Sequence, residues 1–209
     1  MKTSVIIPVK SFQKSKTRLQ LSEDKTRELC QLLLEEVIKT VSESKLIDEI
    51  IVVTDEKQIS NIIKKYACKT IQDKEERGVN EAVGLAEDYL LENSFTHSIV
   101  LPLDTPFFYS EDLEDLLKFS SNNSVLLVPS RHFDGTNALV RTPVNSMKPR
   151  YDEGSYSFQI ESAKNFNVKI SIGLIYRLML DIDHLEDLDF VLKQNIKPEL
   201  CEKIKKIVS

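Results

Sequence analysis

The chain has 209 residues, of which 41% are hydrophobic and 29% are charged, and its formal net charge is −5. This length suits one α/β domain with a substantial core, and we expect residues 1–209 to form a single domain. The mildly acidic balance gives no overall basic field, which argues against a nucleic-acid partner. No run of about 18 apolar residues occurs, so we expect a cytoplasmic protein with no membrane partner.

Strand-like and helix-like segments alternate from the first residues onward. A helix is predicted after Ser22, whose side chain can cap it, and Cys30 lies on its apolar stripe as a buried thiol. The predicted strands are residues 4–8, 49–54, 69–71, 98–101, 124–128, 138–141, 168–172 and 178–183. Such alternation predicts a mostly parallel sheet with helices on both faces. Ligands bind beyond the carboxyl ends of such strands, so the polar residues that follow the strands are the candidates for a site.

A basic loop follows the first strand. Lys10, Lys14, Lys16 and Arg18 fall within nine residues and precede a helix. Cations placed in this way can converge on an anion and partly neutralise a triphosphate. The loop contains no glycine, which excludes a P-loop and a dinucleotide-binding turn. A solvated surface loop is the alternative, and the position after the first strand leaves both interpretations open.

Three aspartates lie within or just after predicted strands. Asp104 comes directly after an apolar run, between two prolines that stiffen its turn. Asp181 and Asp183 alternate with apolar residues, which predicts a strand with both carboxylates on one face. Carboxylates grouped in this way make a hard oxygen site suited to magnesium (Mg2+). The alternative is that each is a turn or cap residue, and Asp183 could cap a helix beginning at His184.

Several short segments, in order from residue 5 to about residue 190, have the pattern of one enzyme family. They are Ile7-Pro8-Val9-Lys10, Lys16-Thr17-Arg18-Leu19, Gly78-Val79-Asn80-Glu81-Ala82, Leu101-Pro102-Leu103-Asp104-Thr105-Pro106, Asp134-Gly135-Thr136-Asn137-Ala138-Leu139, Gly154-Ser155, Leu180-Asp181-Ile182-Asp183 and Glu186-Asp187-Leu188. In this set and order the chain resembles the 2-phospho-L-lactate guanylyltransferase family of coenzyme F-420 biosynthesis, which is related to molybdenum-cofactor guanylyltransferases.

The resemblance implies an α/β fold, namely a three-layer Rossmann-like nucleotidyltransferase (GT-A-like) fold with a mostly parallel central sheet. The single domain of residues 1–209 would then be a nucleotidyltransferase domain. It would condense GTP with 2-phospho-L-lactate or phosphoenolpyruvate to give a guanosine-diphospho-acid and pyrophosphate. The sequence does not choose between these two acids and 3-phosphoglycerate. The resemblance alone implies that the base is guanine and that the partners are GTP and a phosphorylated acid. It also implies a homodimer.

The resemblance also implies roles on the acidic side of the site. Asp104, Asp181 and Asp183 would hold Mg2+. Thr136 and Ser155 would bind the phosphorylated acid. Asp152 lies in the same substrate-binding loop, where the family has a glycine, and it is followed by Glu153. Two carboxylates there would repel an acidic substrate unless a metal ion or a lysine intervenes.

Lys10, Lys16 and Arg18 would bind the triphosphate and act in catalysis by neutralising charge and aligning the displacement. Asn80, near a predicted helix N-terminus, would contact the nucleotide. The acceptor phosphate is already anionic near neutral pH, so the reaction needs no general base.

Two other functions are compatible with parts of the pattern. A different GT-A-fold transferase, acting on a sugar or a molybdopterin, also uses an Asp-x-Asp metal site; a glycosyl transfer would release a nucleoside diphosphate instead of pyrophosphate. A non-catalytic GTP-binding regulator would bind GTP without turnover. The full set of acidic and basic residues favours the nucleotidyltransferase.

Overall fold

A computed structural model of the protein describes residues 2–12, 16–152 and 154–209, so Lys14 and Glu153 lie outside the described residues. The strands are β1 (Thr3–Pro8), β2 (Glu49–Val53), β3 (Lys69–Ile71), β4 (His97–Val100), β5 (Ser124–Pro129), β6 (Thr136–Thr142) and β7 (Lys169–Ile172). The helices are α1 (Glu23–Ser42), α2 (Ser60–Lys65), α3 (Val79–Glu92), α4 (Ser110–Phe119), α5 (Ser155–Asn165), α6 (Leu185–Gln194) and α7 (Pro198–Val208). No helix in these ranges is long and apolar enough to cross a membrane.

The described strands form one seven-stranded sheet in the order β3-β2-β1-β4-β6-β5-β7. β1 is parallel to both of its neighbours, β2 and β4, and its residues are almost all buried. β6 is antiparallel to β4 and β5, while β7 is parallel to β5. The prediction of a mostly parallel sheet is confirmed, and the continuous apolar run near the start of the chain forms β1, an interior strand of this sheet.

Helices cover both faces of this sheet. Successive residues of β1 point to opposite faces, so Ile7 packs in a core cluster with α1, α4, α6 and α7, while Ile6 packs in a second cluster with α3 and α5. The start of α1 is capped as predicted, because Ser22 Oγ accepts a hydrogen bond from Lys25 N at 3.4 Å. Cys30 is fully buried on this helix. The three-layer α/β arrangement is therefore confirmed.

The predicted strand at residues 178–183 is wrong. The chain there makes a 3-10 turn, Tyr176–Met179, and then runs extended into α6. Leu180 and Ile182 are buried at 1% and 0% exposure, which explains the alternating pattern, but the segment has no strand neighbour. Its backbone is held by a bond from Ile182 N to Asp104 O of 3.1 Å. An alternating apolar pattern indicates an extended chain that is buried on one side. It does not require hydrogen bonds to a neighbouring strand.

Candidate active site

A cavity of about 260 Å³ lies beyond the carboxyl ends of β1 and β4. Parallel strands end at the same edge of a sheet, and the antiparallel β6 begins at this edge. The loops after β1 and β4 therefore meet the start of β6. The residues that line the cavity are Pro8, Lys10, Lys16, Val79, Val100, Pro102, Leu103, Asp104, Thr136 and Tyr151. Residues predicted for phosphate, metal and acid binding are thus brought to one place.

Lys16 bridges two of the predicted metal ligands. Its Nζ lies 2.5 Å from Asp104 Oδ2 and 2.7 Å from Asp183 Oδ1, and the lysine side chain is only 7% exposed. Burial acts to lower the pKa of Lys16, but the two carboxylates outweigh it and raise that pKa above its ordinary value. The ammonium therefore stays charged at the centre of the site.

Asp181 is the third aspartate of this cluster, and a residue of β6 holds its carboxylate. Asn137, a buried residue of β6, donates from Nδ2 to Asp181 Oδ1 at 3.1 Å. Burial, together with the nearby Asp104, raises the pKa of Asp181 to about 7. The bond between Ile182 N and Asp104 O explains why residues so distant in the chain come together here.

The three aspartates fit a magnesium ion in the type and number of their ligand atoms. Magnesium takes oxygen ligands and uses few from the protein, because water and phosphate fill its other positions. Asp104 and Asp183 already converge on one positive charge, that of Lys16. Among residues 2–12, 16–152 and 154–209 no group of three or more possible ligands is arranged around a common metal position. The residues fit the ion, and the ammonium of Lys16 lies between two of them.

Two hydroxyl groups form the predicted acid-binding side. Ser155 Oγ donates to Thr136 Oγ1 at 3.0 Å, and both residues are buried. Ser155 is the first residue of α5, and Gly154 before it has φ 74°, a left-handed conformation that favours glycine. In the first turn of α5, Tyr156 N donates to Asp134 O at 3.2 Å, which holds this helix end beside the segment that leads to Thr136.

Other predicted site residues lie further out. Lys10 is exposed but lines the cavity. Arg18 is exposed, and its Nη1 lies 3.4 Å from His184 Nε2. Asp152 is exposed and accepts a hydrogen bond from Arg150 Nε at 3.0 Å. The structure therefore does not place Arg18 or Asp152 on the cavity wall.

Asn80, predicted to contact the nucleotide, is engaged with the protein. Its Oδ1 accepts a hydrogen bond of 2.7 Å from the backbone N–H of Tyr151. Asn80 is the second residue of α3, which follows Gly78 with φ 121°. A residue without a side chain is needed at that angle, so the glycine of the motif directs the chain into this helix.

Sequence reasoning missed the residues that position the aspartates. Asp187 is 4% exposed and accepts hydrogen bonds from His184 N at 2.9 Å and from Asp183 N at 3.3 Å. Arg131 Nη2 donates to the same carboxylate at 2.9 Å. An acidic residue three positions after a helix N-cap is a capping-box signal that could have identified Asp187. Nothing local pointed to Arg131 or Asn137.

Comparison with known proteins shows the family of the chain. Residues 3–206 match the family described as "Guanylyl transferase CofC like". The phosphoenolpyruvate guanylyltransferase of Conexibacter woesei is 30% identical over 193 residues, covering 90% of this chain and 86% of that protein. The 2-phospho-L-lactate guanylyltransferase of Methanosphaera stadtmanae is 30% identical over 196 residues, covering 91% of this chain and 84% of that protein.

A solved structure supports the fold. The structure of a cytidylyltransferase from Leptospira borgpetersenii has a TM-score of 0.62 at 17% identity, and the two chains cover each other over 100% and 97% of their lengths. At this identity the likeness shows the shared fold alone. The family match extends over nearly the whole chain and confirms the resemblance predicted from the sequence motifs. The chain belongs to the CofC-like guanylyl transferase family.

Proposed function

We propose that the protein transfers GMP from GTP to the phosphate of a small phosphorylated carboxylic acid, and that this acid is 2-phospho-L-lactate or phosphoenolpyruvate. These are the acids in the names of two relatives. The observation that supports it best is one cavity with Lys10, Lys16 and Asp104 on one side and Thr136 on the other. Such a cavity offers positive charge to a triphosphate and hydroxyl donors to a second anion.

The reaction is a substitution at the α-phosphorus of GTP. An oxygen of the acceptor phosphate forms a bond to this phosphorus, and the bond from it to the bridging oxygen of pyrophosphate breaks. The electron pair leaves with pyrophosphate, so no proton has to move. The main barrier is the approach of two anions, which Lys10 and Lys16 lower by neutralising charge and holding the groups in line. Arg18 supplies further positive charge from the exposed side.

Mg2+ is the proposed cofactor, with Asp104, Asp181 and Asp183 as its ligands. When bound, the ion would neutralise phosphate charge in the way usual for phosphoryl-transfer enzymes. Lys16 and the ion would compete for the same oxygens of Asp104 and Asp183. If the ammonium of Lys16 moved towards the triphosphate, Lys16 and Mg2+ would both neutralise negative charge on GTP.

The acceptor acid is proposed to bind between Thr136 and Ser155. Their hydroxyls are within hydrogen-bond distance of each other and would bind the acid together. The repulsion expected from Asp152 is reduced, because Arg150 pairs with its carboxylate. Arg150 is therefore the positive side chain that the sequence analysis required at this end of the site, although it is not a lysine.

The direct experiment incubates the protein with Mg2+, each nucleoside triphosphate and each phosphorylated acid in turn, and measures pyrophosphate. We expect release with GTP and one of the two acids. No release with any GTP–acid pair would overturn the proposal. Release of a nucleoside diphosphate instead would indicate another GT-A-fold transferase, and GTP binding without turnover would indicate a regulator.

A matched pair of variants tests whether turnover takes place at this site. Asp183→Ala should nearly abolish turnover, whereas Asp189→Ala, on the exposed face of α6, should leave it unchanged. Full Mg2+-dependent turnover in Asp183→Ala would remove that residue from the site. A cytoplasmic location and a homodimer stay predictions.

A further inference from the structure

The loop between β6 and α5, residues 143–154, carries Asp152 and leads directly to Ser155. Most of the hydrogen bonds that hold it come from the two elements it joins. They are Arg150 N to Gln159 Oε1 (3.0 Å), Ser162 Oγ to Lys148 O (2.6 Å) and Arg141 Nη1 to Met147 O (3.3 Å). These bonds fix the loop to β6 and α5, but they do not fix it relative to the loops after β1 and β4.

Among the described residues of this loop, one hydrogen bond goes to the other half of the site. Tyr151 N donates to Asn80 Oδ1 at 2.7 Å. Asn80 lies at the start of α3, which packs on β1 and β2. Val79, the residue before it, lines the cavity together with Lys10 and Lys16. The bond therefore connects the part of the protein that carries the basic residues to the loop that leads to the acid-binding hydroxyls.

The side chain of Tyr151 does not provide this connection. Tyr151 lines the cavity, but its hydroxyl is buried and has no hydrogen-bond partner within the described ranges. Its side chain packs against the second core cluster. A backbone N–H donor requires an oxygen as its partner, so the orientation of the Asn80 amide is determined: Oδ1 faces Tyr151 and Nδ2 faces away.

We propose that Asn80 is a positioning residue for the acceptor side of the site. Its Oδ1 holds Tyr151 and thereby sets the position of the loop that leads to Ser155 relative to the triphosphate-binding lysines. This role deepens the proposed function and rests on it for the identity of the two substrates. It differs from a direct nucleotide contact, which would have to use the other end of the amide, Nδ2.

Two substitutions separate the oxygen from the nitrogen. Asn80→Asp keeps an acceptor oxygen for Tyr151 and removes the NH2 donor, whereas Asn80→Ala removes both. The first readout is amide hydrogen exchange of Tyr151, followed by NMR on isotope-labelled protein without substrates. We expect about tenfold faster exchange in Asn80→Ala, as for the loss of one hydrogen bond, and near wild-type exchange in Asn80→Asp. Unchanged exchange in Asn80→Ala would overturn the proposal.

The second readout is kinetic. Asn80→Ala should raise KM for the phosphorylated acid about tenfold with little change in KM for GTP, and Asn80→Asp should keep the acid KM near that of the wild type. A rise in the GTP KM in both variants with an unchanged acid KM would assign Asn80 to the nucleotide and refute the positioning role. The two failures are distinguishable: absence of pyrophosphate from the wild type refutes the proposed function, while the exchange measurement still decides the role of Asn80.

Discussion

Lys16 Nζ lies 2.5 Å from Asp104 Oδ2, so a residue of the loop after β1 is paired with a residue of the turn after β4, 88 positions later in the chain. Both side chains are largely buried, with exposures of 7% and 20%. Burial alone would raise the pKa of Asp104, and the nearby ammonium acts in the opposite direction. The attraction between the two charges therefore offsets part of the cost of burying them. The effects of replacing either residue follow from this pairing.

Replacement of Lys16 by methionine should destabilise the protein. The change keeps the length of the side chain and leaves Asp104 and Asp183 without their partner. We expect the free energy of unfolding at neutral pH to fall on the order of 3 kcal/mol, measured by urea denaturation. Lys10→Met is the control, because Lys10 is exposed and makes no ion pair with the residues that the structure describes, and it should change stability by less than about 0.5 kcal/mol. Equal losses of unfolding free energy in Lys16→Met and Lys10→Met would show that the ion pairs of Lys16 do not stabilise the protein.

The same variant reports on the proposed magnesium site. Mg2+ should raise the free energy of unfolding more in Lys16→Met than in the wild type, because the ammonium no longer competes for Asp104 and Asp183. The measurement is a titration of the melting temperature with Mg2+, with Asp183→Ala as the variant that should respond weakly. An identical response in all three proteins would place the ion elsewhere.

Asp181→Asn should stabilise the protein in a pH-dependent way. The pKa of Asp181 is raised to about 7 by burial and by Asp104, whereas an unfolded aspartate has a pKa near 3.9. Between about pH 4 and pH 7 the folded state therefore binds a proton that the unfolded state has lost, and wild-type stability falls as pH rises through this window. Asparagine does not ionise and can still accept from Asn137, so it avoids this loss.

The gain in unfolding free energy of Asp181→Asn over the wild type should grow from near zero at about pH 4 to on the order of 4 kcal/mol at about pH 8. Urea denaturation of both proteins at several pH values measures it. A difference that does not depend on pH would show that Asp181 ionises normally in the folded protein. The same variant should lose turnover if Asp181 binds Mg2+, so that stability and activity would change in opposite directions.

Thr136 offers a test of the acid-binding side. Thr136→Val keeps the shape of the side chain and removes the hydroxyl that pairs with Ser155, while Thr136→Ser keeps the hydroxyl. We expect Thr136→Val to raise KM for the phosphorylated acid about tenfold, with KM for GTP unchanged, since one hydrogen bond to a charged group is lost. Thr136→Ser should stay within about threefold of the wild type. Similar acid KM values for the wild type and Thr136→Val would exclude the hydroxyl from substrate binding.

Asp187→Ala should affect both the helix cap and the site. Its carboxylate accepts from the backbone of Asp183 and His184 and pairs with Arg131. We expect a loss of about 1–2 kcal/mol in stability and a fall in turnover, because Asp183 is no longer held in place. Glu186→Ala, at an exposed position of the same turn, is the control for general helix effects. Normal turnover in a folded Asp187→Ala protein would show that the cap does not position Asp183.

The sequence by itself determined the class of sheet and the location of the site. Continuous apolar runs such as residues 4–8 are buried on both faces, which requires helices on both sides. Residues placed just after β1 and β4, such as Lys16 and Asp104, must then meet at one edge, because parallel strands end there. The ordered motifs determined the family, because the whole set in one order is far more specific for a family than any single motif.

The tertiary structure alone decided which of these residues contact one another. Asp181 and Asp183 lie on an extended segment that is held by Asp104 and not by a neighbouring strand. Asn80 faces Tyr151, and Lys16 lies between two carboxylates instead of extending into solvent. Each contact joins residues more than 70 positions apart. A local pattern describes burial and conformation along the chain, but the pairing of distant side chains depends on how the loops pack at the edge of the sheet.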